Sequence, residues 1–164
     1  PIFIDDTPGI SLMEMRTKAR RLQLEQGLRL LIVDYLQLAD PGRKLESRVQ
    51  EVSIVSQAMK NIARELKIPV LCLSQLNRSV ESRGSRKPQL ADLRESGSIE
   101  QDADVVMFLY RPDEDKDNAP SDKIMTKLSI DKHRNGSLRE FDFMFIGNKI
   151  QFKAIEKKRE ETNE

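Results

Sequence analysis

A nearly continuous apolar run, Leu28 to Val33, ends abruptly at Asp34. A run of this kind suits a central strand of a parallel sheet, buried on both faces. A second short run, Val70-Leu71-Cys72-Leu73, ends at Ser74-Gln75. Between them Val49, Val52, Val55, Met59, Ile62, Ala63 and Leu66 recur at helical spacing. That pattern predicts a long amphipathic helix over 45–67, stopped by Pro69. Strand, helix and strand at this spacing mean a parallel sheet with helices packed on its faces.

The flanking segments extend the same plan. Ile2-Phe3-Ile4 reads as a first buried strand, closed by the turn signal Asp5-Asp6-Thr7-Pro8-Gly9. Ser11-Leu12-Met13-Glu14 is a capping box, in which serine and glutamate satisfy orphan amides at a helix start. Leu12, Met15, Ala19 and Leu22 continue that helix, and Gly27 stops it. A second capping box, Ser98-Ile99-Glu100-Gln101, predicts a short helix before a fourth buried strand, Val105 to Tyr110. The region 111–123 reads as an acidic loop, mobile from Pro112 to Pro120. The chain then alternates. Ile124, Thr126, Leu128 and Ile130 face one way, as do Phe141, Phe143 and Phe145, with the hairpin turn Asn135-Gly136 between them. Ile150 and Phe152 add a third strand, and the tail from Lys157 is expected to fray. The expected fold class is therefore α/β: a mainly parallel sheet flanked by helices, with C-terminal antiparallel strands.

Composition narrows the function. Of 164 residues, 28 are Lys or Arg and 27 are Asp or Glu, for a net charge of +1. That balance excludes a grossly basic nucleic-acid coat and an acidic disordered tail, while leaving room for a local basic patch. The patch is Arg78 to Arg94, where Arg78, Arg83, Arg86, Lys87 and Arg94 face only Glu81 and Asp92. Cys72 is the one cysteine, so no internal disulfide forms, and a reducing cytosolic setting is the default. No apolar run approaches the roughly 20 residues of a membrane helix, and no stretch reads as a secretion signal. Aromatic residues are 5% and tryptophan is absent, so base stacking cannot dominate any nucleic-acid binding. His133 has no second His or Cys to share a metal with.

In parallel α/β sheets, functional groups gather beyond the carboxyl ends of the strands. Those ends carry Asp5-Asp6, Asp34, Ser74-Gln75 and Tyr110-Arg111. Leu30-Leu31-Ile32-Val33-Asp34 fits the Walker B pattern, in which an anchored strand holds a carboxylate rigidly beside a magnesium ion or its water. Those five residues alone fit better an aspartate that caps the next turn. Gln75 offers a neutral amide to a terminal phosphate oxygen, or to nearby loop backbone. Lys132 and Arg134 alternate onto one strand face. They make either a solvated edge that discourages strand pairing or two cations for a phosphate on a neighbouring subunit. Arg94 can pair with a nucleic-acid phosphate, and Gly97 permits close backbone approach; a capped loop is the plainer alternative.

The order of these motifs is more specific than any one of them. Leu30 to Leu38, then Leu73-Ser74-Gln75-Leu76-Asn77-Arg78, then Asp92-Leu93-Arg94-Glu95-Ser96-Gly97-Ser98-Ile99-Glu100-Gln101-Asp102-Ala103-Asp104, then Lys132-His133-Arg134-Asn135-Gly136 closely resemble the DnaB-type replicative DNA helicases. The resemblance runs from Pro1 to about Phe152 and implies the C-terminal part of a RecA-like P-loop NTPase core. Residues 1–153 would be motor and 154–164 a charged, disordered tail. It further implies a homohexameric ring, active in the cytoplasm at replication forks, moving along single-stranded DNA with ATP and Mg2+. Primase and a helicase loader are its implied partners. By position, Asp34 would act on magnesium and Gln75 would sense the terminal phosphate. Lys132 and Arg134 would reach into the next subunit's nucleotide site, Arg134 as arginine finger. Arg94, Glu95 and Gly97 would lie in a central-channel loop on the DNA backbone.

One departure bears on activity. The chain has no G-x-x-x-x-G-K-[ST] phosphate loop; the family carries it, with its catalytic glutamate, upstream. Together with an opening at Pro1 directly into an apolar run, this predicts a piece whose N-terminal part is absent. Alone it should neither bind ATP well nor hydrolyse it, and it should expose apolar surface that missing strands would cover. Two other readings remain: a RecA-type recombinase or related ring ATPase, against which the Arg94–Asp104 motif argues, and a non-enzymatic docking module. A phosphate loop encoded in frame upstream separates the motor from the module.

Overall fold

The computed structural model describes residues 1–43, 45–77, 87–112 and 122–155, with backbone only at 94–96. The loop 113–121 and the tail from 156 therefore lie outside the described residues, as does most of the basic segment. The chain divides into two compact units: 1–77 with 91–103, and 78–90 with 104–164.

The first unit holds helix α1 (Leu12–Gln26), strand β1 (Leu31–Val33), helix α2 (Arg48–Leu66), strand β2 (Val70–Cys72) and the short helix α3 (Gly97–Asp102). Both long helices begin and end where local chemistry dictates. Ser11 caps α1 by accepting from the Glu14 amide at 3.2 Å. Gly27 closes it in the left-handed conformation at φ 70°, which costs glycine least. Ser47 caps α2, and Lys67 ends it at φ 52°, two residues before Pro69. Helix α2 supplies the largest share of the core: Val52, Val55, Met59, Ile62 and Leu66 are all buried, at the spacing of one helical face. Met15 and Ala19 of α1, with Val33, Leu36, Ala39 and Ile68, complete the cluster. Burying one such aliphatic side chain contributes roughly 1.5–3 kcal/mol. Gln23 of α1 donates to the Leu66 carbonyl at 2.5 Å and so satisfies an orphan acceptor at the end of α2.

β1 and β2 pair in parallel, Leu31 with Val70, Ile32 with Leu71 and Val33 with Cys72. Here the expected burial on two faces is corrected. Leu31, Val33, Val70 and Cys72 pack on the helical core, whereas Ile32 is 56% exposed and its partner Leu71 is 40% exposed. The described cover, built mainly on α1 and α2, lies on one side of the pair. The expected first strand is also corrected: Ile2 to Ile4 is exposed and forms no strand. Extended chain becomes a strand only by pairing, and no described strand pairs with it. Asp5 instead bonds Thr7 and Lys18, and the Lys18 contact brings its carboxyl down to about 2.

The second unit is an antiparallel meander, β3 (Val105–Tyr110), β4 (Lys123–His133), β5 (Arg139–Ile146) and β6 (Gln151–Ile155), in spatial order 3-4-5-6. β3 alternates rather than being buried throughout: Val106 and Phe108 are buried, Met107 and Leu109 exposed. β6 reaches Ile155. The β4–β5 connection is wider than a two-residue turn. Ile130 opposite Arg139 is the last β4–β5 pair, while on its other edge β4 goes on pairing through Lys132 and His133 with Val106 and Val105 of β3, across a bulge. Gly136 is not at positive φ, as a tight Asn-Gly turn would require. A Cβ there would meet the far end of the His133 side chain, which would have to turn aside.

Candidate functional site

The sheet of the first unit fixes where its chemistry lies. β1 and β2 run in the same direction and are in register at Val33 and Cys72, so Asp34 and Gln75 leave the same end of neighbouring strands. The Leu73 amide donates to the Val33 carbonyl and the Leu36 amide to the Leu73 carbonyl, each at 2.9 Å. The two chains thus stay joined just past the strands. The Asp34–Tyr35 peptide is cis.

The Asp34 carboxylate is exposed and takes no hydrogen bond or ion pair among the described residues. It does not cap the following turn, whose Leu36 amide is already satisfied by Leu73. The Gln75 carboxamide is likewise exposed and bonds no described group. It is Gln37, in the 3-10 turn Leu36–Leu38, that satisfies the neighbouring loop. Its Nε2 donates to Ser74 Oγ at 2.9 Å, and its Oε1 accepts from the Gln75 amide at 3.4 Å. Arg48, at the start of α2, donates to the Gln37 carbonyl at 2.5 Å. Cys72 faces the core, and burial pushes its thiol up to about 11, which suits packing and not nucleophilic chemistry.

Among the described residues no three His, Cys, Asp or Glu side chains cluster as a metal site. A lone, unengaged carboxylate nevertheless fits magnesium, which keeps most of its water and binds through one or two carboxylates together with substrate phosphates.

The remaining candidates lie elsewhere. Lys132 and Arg134 belong to the second unit, and the expectation that they share a strand face is corrected. Lys132 is within β4, opposite Val106. Arg134 is past the strand end, in the turn. Its amide donates to the Asp104 carbonyl at 2.9 Å, and its guanidinium pairs with the Asp104 carboxylate at 3.4 Å. Arg94 and Glu95 fall in the 3-10 segment Leu90–Ser96, with side chains outside the described set. Gly97 opens α3 and is exposed. Neither its φ nor any atom within 4 Å of a built Cβ requires glycine there. Ser98, expected as a cap, sits inside α3 and bonds Ser53 of α2 at 2.9 Å, while Ser56 donates to Asp102 at 2.8 Å. These bonds hang α3 on the core helix.

Lys87 is the one cation of the basic segment whose side chain is described, and it is paired while remaining half exposed. It pairs with Glu140 of β5 at 2.6 Å, and Tyr110 also donates to Glu140, at 3.1 Å. The pair holds Lys87 above its ordinary value and Glu140 below. Burial first, and then Glu140, pushes the Tyr110 phenol up to about 12, so it remains a donor.

A family model described as the DnaB-like helicase C terminal domain matches residues 1–154. The replicative DNA helicase DnaC of Bacillus subtilis is 48% identical over 96% of this chain and 35% of its own length. The replicative DNA helicase DnaB of Mycobacterium leprae is 53% identical over 83% of this chain and 22% of its own. The chain thus spans about a third of the curated relatives or less. Among solved structures, an ATPase domain superposes with a TM-score of 0.81 at 39% identity, over 90% of this chain and 52% of that one. A DnaB-like replicative helicase, described together with its interactions with primase, gives 0.84 at 39% identity over 93% and 37%. The RecA-like α/β fold class follows from these likenesses.

Proposed function

The chain belongs to the DnaB-like helicase C-terminal domain family, and from that premise we propose that it is the sensing and DNA-gripping part of an ATP-dependent replicative DNA helicase. The whole motor would be a hexameric ring of identical subunits that unwinds duplex DNA by moving along one strand. The observation that carries this reading is the shared exit of Asp34 and Gln75 from two adjacent parallel strands, with both side chains unengaged among the described residues.

The motor portion expected over 1–153 extends to Ile155, because Ala154 and Ile155 pair with β5, and the charged tail follows. In the motor Asp34 would hold Mg2+, whose chemistry there would be to neutralise charge on the nucleotide phosphates. Gln75 donates to the terminal phosphate oxygen and reports its loss to the β2 loop. Arg134, with Lys132 beside it, reaches the nucleotide of the next subunit and stabilises charge on the transferring phosphoryl group. Arg94, Glu95 and Gly97 meet the single-stranded DNA backbone; a glycine that the fold does not demand suits close approach to a phosphate. Primase and a loader are the proposed protein partners, a relative having been described with primase. The cytoplasm is the proposed setting. No helix of the described residues is long and apolar enough to cross a membrane.

The test is Asp34→Asn in the assembled helicase. Hydrolysis is expected to fall about 10²–10³-fold, the usual cost of removing one preorganised electrostatic group, while metal-free nucleotide binding holds. Wild-type turnover removes Asp34 from the site.

A further inference from the structure

Gln37 lies between the two proposed nucleotide-facing groups, and the family reading gives it no task. It is half-buried in the turn that follows Asp34, and its carboxamide is spent on the loop that carries Gln75. The orientation of that carboxamide follows from chemistry. A backbone N–H can only donate, so the atom facing the Gln75 amide is Oε1, which leaves Nε2 to donate to Ser74 Oγ. Behind it, the Gln37 carbonyl is held by Arg48, whose guanidinium also pairs with Glu51 at 2.7 Å. An unbroken set of bonds therefore runs from the first turn of α2, through Gln37, to the backbone of Gln75. The nearest backbone tie between the two strand exits is at Leu73, two residues short of Gln75.

We infer that Gln37 is a positioning residue for phosphate sensing. It fixes the Ser74-Gln75 loop relative to Asp34, so that the Gln75 side chain meets a terminal phosphate while Asp34 is on its metal. It touches neither nucleotide nor metal. This inference rests on the role given to Gln75 above. Through Arg48 it also gives the α2 start a route by which an altered Gln75 backbone is felt outside the site.

A residue acting only through Gln75 has a definite signature in the assembled helicase. Gln37→Ala is expected to lower the turnover number for nucleotide hydrolysis about tenfold, the worth of roughly one hydrogen bond's positioning, with KM and melting temperature close to wild type. Gln37→Met keeps the length and loses both bonds, so it should match the alanine variant and separate hydrogen bonding from packing. The double variant Gln37→Ala/Gln75→Ala should be no slower than Gln75→Ala alone. Losses that multiply, a normal Gln37→Ala turnover, or a turnover loss matched by a large fall in melting temperature in both Gln37 variants overturn the inference. If Gln75→Ala is itself as active as wild type, the sensing role falls and Gln37 with it. If Gln75→Ala is slow and Gln37→Ala is not, only the present inference falls.

Discussion

The two units hold their functional groups in opposite states. At the end of β1 and β2, the Asp34 and Gln75 side chains bond nothing among the described residues. In the antiparallel unit, Arg134 is paired with Asp104 and Lys87 with Glu140. Topology explains the contrast. A parallel strand stops and releases its chain into a loop, so the first side chains past it lack a cross-strand partner. An antiparallel strand has a returning neighbour at each end, which supplies partners at once. The parallel tip therefore presents groups that a ligand completes, whereas the hairpin keeps a cation in hand. The Arg134–Asp104 pair is about half exposed on both sides, and such pairs are worth only about 0–1 kcal/mol. On the proposed reading that is weak enough for Arg134 to exchange carboxylate for phosphate.

The contrast can be broken in order of expected effect. Arg134→Ala should lower hydrolysis by the assembled helicase about 10³–10⁵-fold, as for other arginine fingers, with nucleotide affinity and melting temperature near wild type. A loss of folding instead would make Arg134 a structural part of the hairpin. Met59→Ala, in the core of the parallel unit, should lower unfolding free energy by about 2–5 kcal/mol in chemical denaturation. A cost well under about 1 kcal/mol would mean that α2 does not anchor that core. Arg94→Ala should reduce the slope of log affinity against log salt for single-stranded DNA by about 1. An unchanged slope would take Arg94 off the DNA backbone.

Local chemistry was legible in the residues, and pairing was not. The Ser11 cap and the Gly27 stop depend on neighbours within a few positions, and the structure has both. So too with the buried face of α2, which repeats every turn. Burial of Ile32 and Leu71 depended on what covers the far side of the sheet, which no periodicity encodes. Ile2 to Ile4 has strand composition without a described partner. The Asn135-Gly136 signal placed the hairpin correctly and mistook its width, which is set by where β4–β5 pairing stops, at Ile130 and Arg139, and not by the dipeptide. Asp34 and Gln75 could be found as polar residues that end apolar runs. Gln37 could not be found that way. Its one trace is a polar side chain between Leu36 and Leu38, and its partner Ser74 lies 37 residues on.

The most direct test of a pocket shared between subunits is a mixing experiment. Asp34→Asn and Arg134→Ala rings are each prepared, shown to be inactive, dissociated and reassembled together. Where an Arg134→Ala subunit supplies the Asp34 tip and an Asp34→Asn neighbour supplies the finger, one intact site forms. Mixed rings should therefore hydrolyse nucleotide well above either parent, with a maximum near equal proportions. Activity that stays at the weighted mean of the two parents at every ratio would contradict a site built from two subunits.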